Sequence, residues 1–567
     1  MQRLEPLPRA RSVHLPALSF SIIRPLPVGM VVFVISALAY LLVAWYVVYV
    51  AHVVVGDAWS RVGNAYYVLF SRDPHLAAIG FVWNPLPALA VMPLLPFKTV
   101  FPGLVTEGFA ANILSALFMA GAVYQIWGTL GDLRLRSSLR TGLTVLLAVH
   151  PMLIYYAANG MSEAPFLFFL VVTSRYLARW IGTANVSALV VAALGLALAY
   201  LTRYEAAAAA GAASLLVLSV SAFRTTGDRR SRLLAGLADA LIIAVPFAAV
   251  FIGWALASWI IVGSPFETFT SIYGNSSQVG LAARYIREST GQGTAAGAGY
   301  VASQLFGLEP LLLPCAAIAL VTGLVRRDLR ILAPLAVMCA VLGFAAWAFL
   351  DGKSFGWLRF YIAAIPLMVI VCGSLLANSA VAPTRRRGRL RFASRLTVAA
   401  LLTSIALLGS GVAVIWGGRT MLTPNLGREE NGQVAAAIGG GALARAISPE
   451  VRLYDLAGTV AANLDRRHLA RGSVLVDVAT GFPVVLRSND PTQFVITPDR
   501  DFEAAVADPT SFGVEYLLVL GGGSAVLDAI SRAHPGVYAD GGGIGELVGD
   551  FSDGTGAGGW RLYRLIR

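Results

Sequence analysis

From Val28 to Val55 the chain carries no charged residue. A bilayer core is crossed by roughly 20 apolar residues in helical form, so this run spans with some to spare. Similar runs recur along the first three quarters of the sequence, and arginines gather in short clusters between them: Arg3–Arg24, Arg134 to Arg140, Arg175 and Arg179, Arg224 to Arg232, Arg326 to Arg330, and Arg385–Arg395. Arginine-rich loops stay cytoplasmic. All these clusters fall on that side if spans run over 30–52, 104–128, 140–158, 164–182, 186–202, 205–223, 237–262, 309–325, 331–350, 361–378 and 396–416. The pattern therefore predicts about 11 spans, with the N-terminus inside and the C-terminus outside. It holds only if PLPALAVMPLLPF (85–97) does not cross. Three prolines inside so short a segment make it re-entrant or interfacial.

Just after the first run, Gly56 breaks the helix and Asp57 stands where the chain leaves lipid for water. Trp59, Val62, Tyr66 and Leu69 then recur at helical spacing, with Ser60, Arg61 and Asn64 opposite. That pattern predicts a helix lying in the interface, apolar face down. The outward segments are then 53–103, a turn at Asn159–Glu163, a turn at Arg203–Glu205, a loop over 263–308, and Asp351–Arg359. From about Gly417, short apolar strands alternate with helix-like stretches (SVLVDVATG, FVITPDR, EYLLVLGGG), the pattern of a small α/β domain. The predicted layout is a cytoplasmic segment (1–29), a transmembrane region (30–416) and an extracytoplasmic soluble α/β domain (417–567).

Composition agrees. Of 567 residues, 57% are hydrophobic and only 13% charged, which excludes a soluble globular protein. A net charge of +12 would suit nucleic acid, but its placement between apolar runs assigns it to membrane orientation. The N-terminal apolar run is too long for a cleaved signal and reads as an uncleaved anchor. Cys315, Cys339 and Cys372 lie unpaired within apolar runs and read as small core residues. The six histidines have no ligand spacing, which leaves a divalent cation held by carboxylates and phosphate as the only metal option. Gly521-Gly522-Gly523-Ser524 follows a strand but lacks both phosphate-loop patterns.

The candidate chemistry lies on the outer face. An ionised carboxylate at a membrane boundary is costly unless paired, which singles out Asp57 beside Trp59. Its plainer reading is a helix N-cap with an i,i+4 pair to Arg61. Glu163 recurs on the same side two spans later; it can also stabilise the positive end of the next helix. Asn84-Pro85-Leu86 closes the first loop as a turn. Arg359 and Lys353, at the edge of a late span, either snorkel to membrane lipid headgroups or clamp an anionic substrate. Arg203 and Glu205 form at least a mutual turn pair.

These outer-face features, in this order, resemble the GT-C superfamily of membrane glycosyltransferases, nearest to the protein O-mannosyltransferase and lipid A aminoarabinose transferase branch. The matching positions are Asp57, Asn84-Pro85-Leu86, Glu163 and Arg359-Phe360, within about residues 30–380. Two departures stand out: Ala58 follows Asp57 where relatives often carry a second acid, and Asn84 replaces a lysine. The resemblance implies a sugar donor on polyprenyl phosphate entering from the bilayer, and an extracytoplasmic glycan, lipid or protein as acceptor. No soluble nucleotide pocket is then needed. Asp57 would act as general base, Glu163 would position it or the acceptor, and Arg61, Lys353 and Arg359 would hold the donor phosphate, with inversion at the anomeric carbon. Asn84, Arg203 and Glu205 would position substrate. Abundant Ala, Gly and Arg with only Lys98 and Lys353 as lysines point to an actinobacterial type of source, for which family analogy gives arabinose or mannose on decaprenyl phosphate and a role in cell wall biogenesis. The rival readings are a polytopic transporter or flippase of a lipid-linked substrate, which would want charges or broken helices near the bilayer midplane, and a membrane-anchored scaffold.

Overall fold

The computed structural model describes residues 27–291, 293–379, 407–447, 449–522, 526–552 and 558–566. Among them, seven helices are long and apolar enough to cross a membrane: Val28–Val50, Phe109–Asp132, Glu163–Thr183, Ala206–Arg224, Arg229–Val262, Leu329–Leu350 and Leu358–Ala377. Two bent pairs, Ser137–Ala148 with Pro151–Ala158 (59°) and Thr294–Leu308 with Leu312–Arg326 (78°), bring the number to nine if each is one span. Both bends have the same cause. His150 precedes Pro151 and Glu309 precedes Pro310, and a residue before proline is pushed out of the helical region; both leave it here. The protein is thus a polytopic helical membrane protein, with seven to nine of the eleven expected crossings present. Val186–Thr202, at 17 residues, is apolar but short of a full span. The expected span at 396–416 lies partly outside the described residues, which resume as helix over 407–421.

Residues 85–97 do not make a long helix. They form a short helix, Leu86–Val91, and a 3-10 stretch, Met92–Thr99. Pro93 and Pro96 remove the N–H groups a longer helix would need. The preceding helix, Gly56–Phe70, differs from expectation on its polar side. Arg61 is buried along with Trp59, Val62 and Tyr66: Trp83 and Met161 cover Arg61, and the C-terminal region covers Trp59. Tyr454 and Phe482 both meet the Trp59 ring edge-on, and the Arg487 guanidinium lies 4.9 Å from its centre. Trp59 Nε1 donates to the Val105 carbonyl at 2.8 Å.

The C-terminal region carries a five-stranded sheet of order β2-β1-β3-β5-β4. β1 (Val474–Val476), β2 (Phe494–Ile496) and β3 (Tyr516–Leu520) are parallel, while β5 (Gly559–Leu565) and β4 (Gly545–Ser552) close it antiparallel. The three parallel strands are buried throughout, as their unbroken apolar sequences require. One apolar cluster runs from the membrane helices through Trp59 into this sheet. Ion pairs fix the docking: Arg72 with Asp499 (3.0 Å) and Asp501, Arg500 with Asp73 (3.1 Å), and Arg487 with Glu107 (2.9 Å). From the loop after Arg229–Val262, Tyr273 Oη donates to Asp477 at 2.8 Å.

Trp59 is the apolar centre of this junction. Trp59→Ala is expected to remove stabilisation on the scale of about 3–5 kcal/mol, read as a lower apparent melting temperature in detergent; unchanged melting would show that the two parts hold together without it.

Candidate active site

Four separate stretches bring charged side chains to one point beneath the C-terminal region. Asp57 is the second residue of its helix, and Val55, with extended backbone, is the cap. This corrects the N-cap reading. The expected pair to Arg61 is also altered: Arg61 Nη1 donates to the Asp57 backbone carbonyl (3.3 Å) and not to its carboxylate. That carboxylate stands 3.7 Å from Arg359 Nη2 and is 41% exposed, a group both paired and reachable.

Glu163 opens the helix Glu163–Thr183 and is 1% exposed. A carboxylate so deep must be paired. Its Oε1 accepts from Arg203 and lies 3.7 Å from Arg359 Nε. Arg203 sits on extended backbone between the helices Val186–Thr202 and Ala206–Arg224. Its fork also holds Glu205, at 2.6 and 3.2 Å, so it is at once the expected turn pair and a bridge into the site. Burial works to lower the Arg203 pKa, but Glu205 and Glu163 outweigh it and leave the group above its ordinary value.

Arg359 lies in the 3-10 turn Leu358–Tyr361 and is 6% exposed. The Trp357 ring lies under its guanidinium at 4.5 Å, a cation–π contact that suits a desolvated arginine. Its nearest charge is Glu429 Oε1, 3.0 Å from Nη1. Glu429 and Glu430 start the helix Arg428–Ile447, and Tyr156 Oη donates to Glu430 Oε1 at 2.8 Å. Burial raises Glu429 well above the ordinary carboxylate range against the pull of Arg359, and Glu430 adds to the rise; burial also raises Glu430. Burial lowers Arg61 to about 10, although Asp57 and Glu163 oppose this; its guanidinium lies 3.9 Å from the Trp83 ring centre.

Sequence reasoning did not single out Glu429 and Glu430. An adjacent acid pair soon after the last apolar run was the available signal, but it fell in a stretch read as the start of the tail domain. The structure leaves other candidates outside the cluster. Lys353 is 63% exposed and pairs with Asp351 at 2.6 Å. Lys98 Nζ donates to Tyr66 Oη at 2.5 Å. Asn84 is buried and donates to the Tyr200 carbonyl, tying its turn to the helix that leads into Arg203. The run Gly521–Ser524 lies partly outside the described residues. Among the described residues no group of three His, Cys, Asp or Glu is placed to hold a metal ion.

A narrow crevice, with a free volume of only about 20 Å³, lies beside the cluster. Phe166, Tyr204, Val341, Phe344 and Ala363 form much of its wall, and Glu163, Arg203, Glu205 and Arg359 its charged end. An apolar slot that ends on guanidinium groups suits an amphiphile with an anionic head, since arginine matches phosphate geometry.

No protein-family model and no curated protein matches the chain. Solved structures with a similar course of chain include ArnT and an archaeal oligosaccharyltransferase. ArnT from Cupriavidus metallidurans bound to undecaprenyl phosphate is 14% identical, with 95% of this chain and 98% of that one covered and a TM-score of 0.46; its apo state gives 17%, the same coverage and 0.49. The archaeal oligosaccharyltransferase AglB from Archaeoglobus fulgidus, in complex with an inhibitory peptide and a dolichol-phosphate, is 12% identical, with 94% and 74% covered and 0.42. The likeness is loose, and the chemistry of the site has to come from its own side chains.

Removing Arg203 strands Glu205 and leaves Glu163 with only its longer contact to Arg359. Arg203→Ala is expected to cost about 3–5 kcal/mol of stability. A buried carboxylate that loses its cation should titrate higher when folded than when unfolded, so the penalty is present at about pH 8 and shrinks towards about pH 5 as protons are taken up. A melting-temperature deficit that does not change with pH would contradict the pairing.

Proposed function

We propose that the protein is a glycosyltransferase that moves a sugar from a polyprenyl-phosphate donor to an acceptor hydroxyl on the outer side of the plasma (inner) membrane, with inversion. The observation that carries the reading is the half-exposed Asp57 carboxylate facing Arg359, which in turn closes the end of an apolar cleft. The crevice widens to admit the isoprenoid along its apolar lining, and the phosphate meets Arg359. Asp57 takes the proton of the acceptor hydroxyl as its oxygen forms the new bond to the anomeric carbon. The bond from that carbon to the phosphate oxygen breaks, and its electron pair leaves on the phosphate, where Arg359 stabilises the charge. The leaving group is already good, so no general acid is required. Glu163, itself held by Arg203, holds Arg359 from behind; Arg61 adds positive potential without touching a carboxylate.

In this reading the N-terminal segment (1–29) is cytoplasmic, 30–416 is the catalytic membrane region and 417–567 is extracytoplasmic. The sugar is arabinose or mannose on decaprenyl phosphate by family analogy alone, and the acceptor is an envelope glycan, lipid or protein. Among the described residues, the two bent helix pairs are the feature that favours a flippase.

The direct test is incubation of the detergent-solubilised protein with radiolabelled polyprenyl-phosphate sugar. Transfer to acceptor is expected; label that remains on the lipid would favour the flippase. Asp57→Asn should lower transfer by at least about 10²-fold, the scale of a lost base, and near-normal transfer would remove Asp57 from the mechanism. Arg359→Ala should raise the KM for donor more than that for acceptor, and unchanged donor kinetics would remove the clamp.

A further inference from the structure

Five acids, Asp57, Glu163, Glu205, Glu429 and Glu430, meet three arginines, Arg61, Arg203 and Arg359, in this site. Fully ionised, the site is anionic before any donor arrives. A donor phosphate would add more negative charge to the arginine that already faces three carboxylates. Two of these, on Asp57 and Glu163, lie at 3.7 Å from Arg359, beyond hydrogen-bond length. Only Glu429, at 3.0 Å, is in close contact. Even that contact is misaligned, for Arg359 Nη1 and Nε are both buried without a hydrogen bond, as is Glu429 Oε2. Buried donors of a charged group left unmade are costly. Arg359, nine-tenths buried, therefore presents N–H groups that Glu429 neutralises but does not satisfy.

We infer that Glu429 holds the place of the donor phosphate on Arg359 and gives up that contact when an anionic lipid phosphate binds. This rests on the reading of Arg359 as the donor clamp. A carboxylate and a phosphate on one guanidinium edge repel, so Glu429 must take up a proton or move aside. Its surroundings favour the proton. Glu430 is its neighbour in sequence, and Asp57 and Glu163 approach the same guanidinium; Tyr155 and Tyr156 from Pro151–Ala158 add neutral hydroxyls, and Arg359 is the opposing cation. Burial among these acids already pushes Glu429 upward. Donor binding and protonation of Glu429 are then linked, and lower pH favours the bound state. Glu429 is a positioning residue in this scheme: it sets how readily Arg359 is released, and it does not touch the sugar.

The experiment measures binding of a polyprenyl methyl phosphodiester, whose single charge does not titrate over about pH 5–9, to the full-length protein in detergent. The parent, Glu429→Gln, Glu429→Ala and Arg359→Ala are compared, with melting curves to confirm folding. The parent Kd is expected to weaken by about tenfold or more from the acid to the alkaline end, the effect of a coupling of one pKa unit. Glu429→Gln should bind more tightly than the parent at the alkaline end and with a flat pH profile, and Glu429→Ala should do the same if the isostere fails to fold. Weaker binding by both variants, or a pH profile like the parent's, would overturn the inference and leave the clamp standing. Parent-like binding by Arg359→Ala would instead overturn the clamp itself.

Discussion

A buried guanidinium cannot stand alone, and Arg359 is held by carboxylates from three segments far apart in sequence: Asp57, Glu163 and Glu429. Each of these helix starts has to arrive at the same place for any of the charges to be tolerated. The site therefore constrains the fold as much as the fold builds the site. A second buried arginine, Arg203, repeats the arrangement one layer behind, holding Glu163 and Glu205. Buried ion pairs of this kind add little net stability over an apolar core, but breaking one leaves an uncompensated charge. Their value here is geometric, because they fix the acid that faces outward.

The apolar scaffold explains how those charges reach a common level. The spans place these ends side by side, and each candidate group sits within a few residues of one: Asp57 after Val28–Val50, Glu163 at the head of Glu163–Thr183, Glu205 just before Ala206–Arg224, and Arg359 at the head of Leu358–Ala377. The C-terminal region then covers them. Its contacts with Trp59 and its ion pairs with Arg72 and Asp73 bury a helix that would otherwise lie open to water. The covering also places Glu429 and Glu430 in the site, so the part that closes the crevice supplies two of its acids.

Much of this was legible from sequence, for identifiable reasons. Runs such as 164–182, 186–202 and 331–350 match helices to within two residues, because a bilayer leaves an apolar run few alternatives to helix. The broken segment at 85–97 was legible from its prolines. The alternation in the tail gave the α/β character, though not the strand order. What escaped was long-range. Gly56–Phe70 has the pattern of an interfacial helix, and nothing within it shows that Tyr454 and Phe482 lie about 400 residues away in sequence and across its face. Glu429 and Glu430 were missed for the same reason, since an acid pair in a polar stretch reads as solvated. Arg359 and Lys353 looked equivalent in sequence, but only Arg359 lies where Trp357 and three carboxylates surround it, while Lys353 turns to Asp351.

The account stands on the claim that Arg359 is the anion-binding end of an apolar slot with Asp57 across from it. The most direct test is a structure of the full-length protein determined with a polyprenyl phosphate bound. The account predicts phosphate density within hydrogen-bond reach of the Arg359 guanidinium, about 3 Å, with the isoprenoid running past Val341 and Phe344 and the Asp57 carboxylate open to the far side. Lipid phosphate bound elsewhere, with Arg359 still enclosed by its carboxylates, would contradict it.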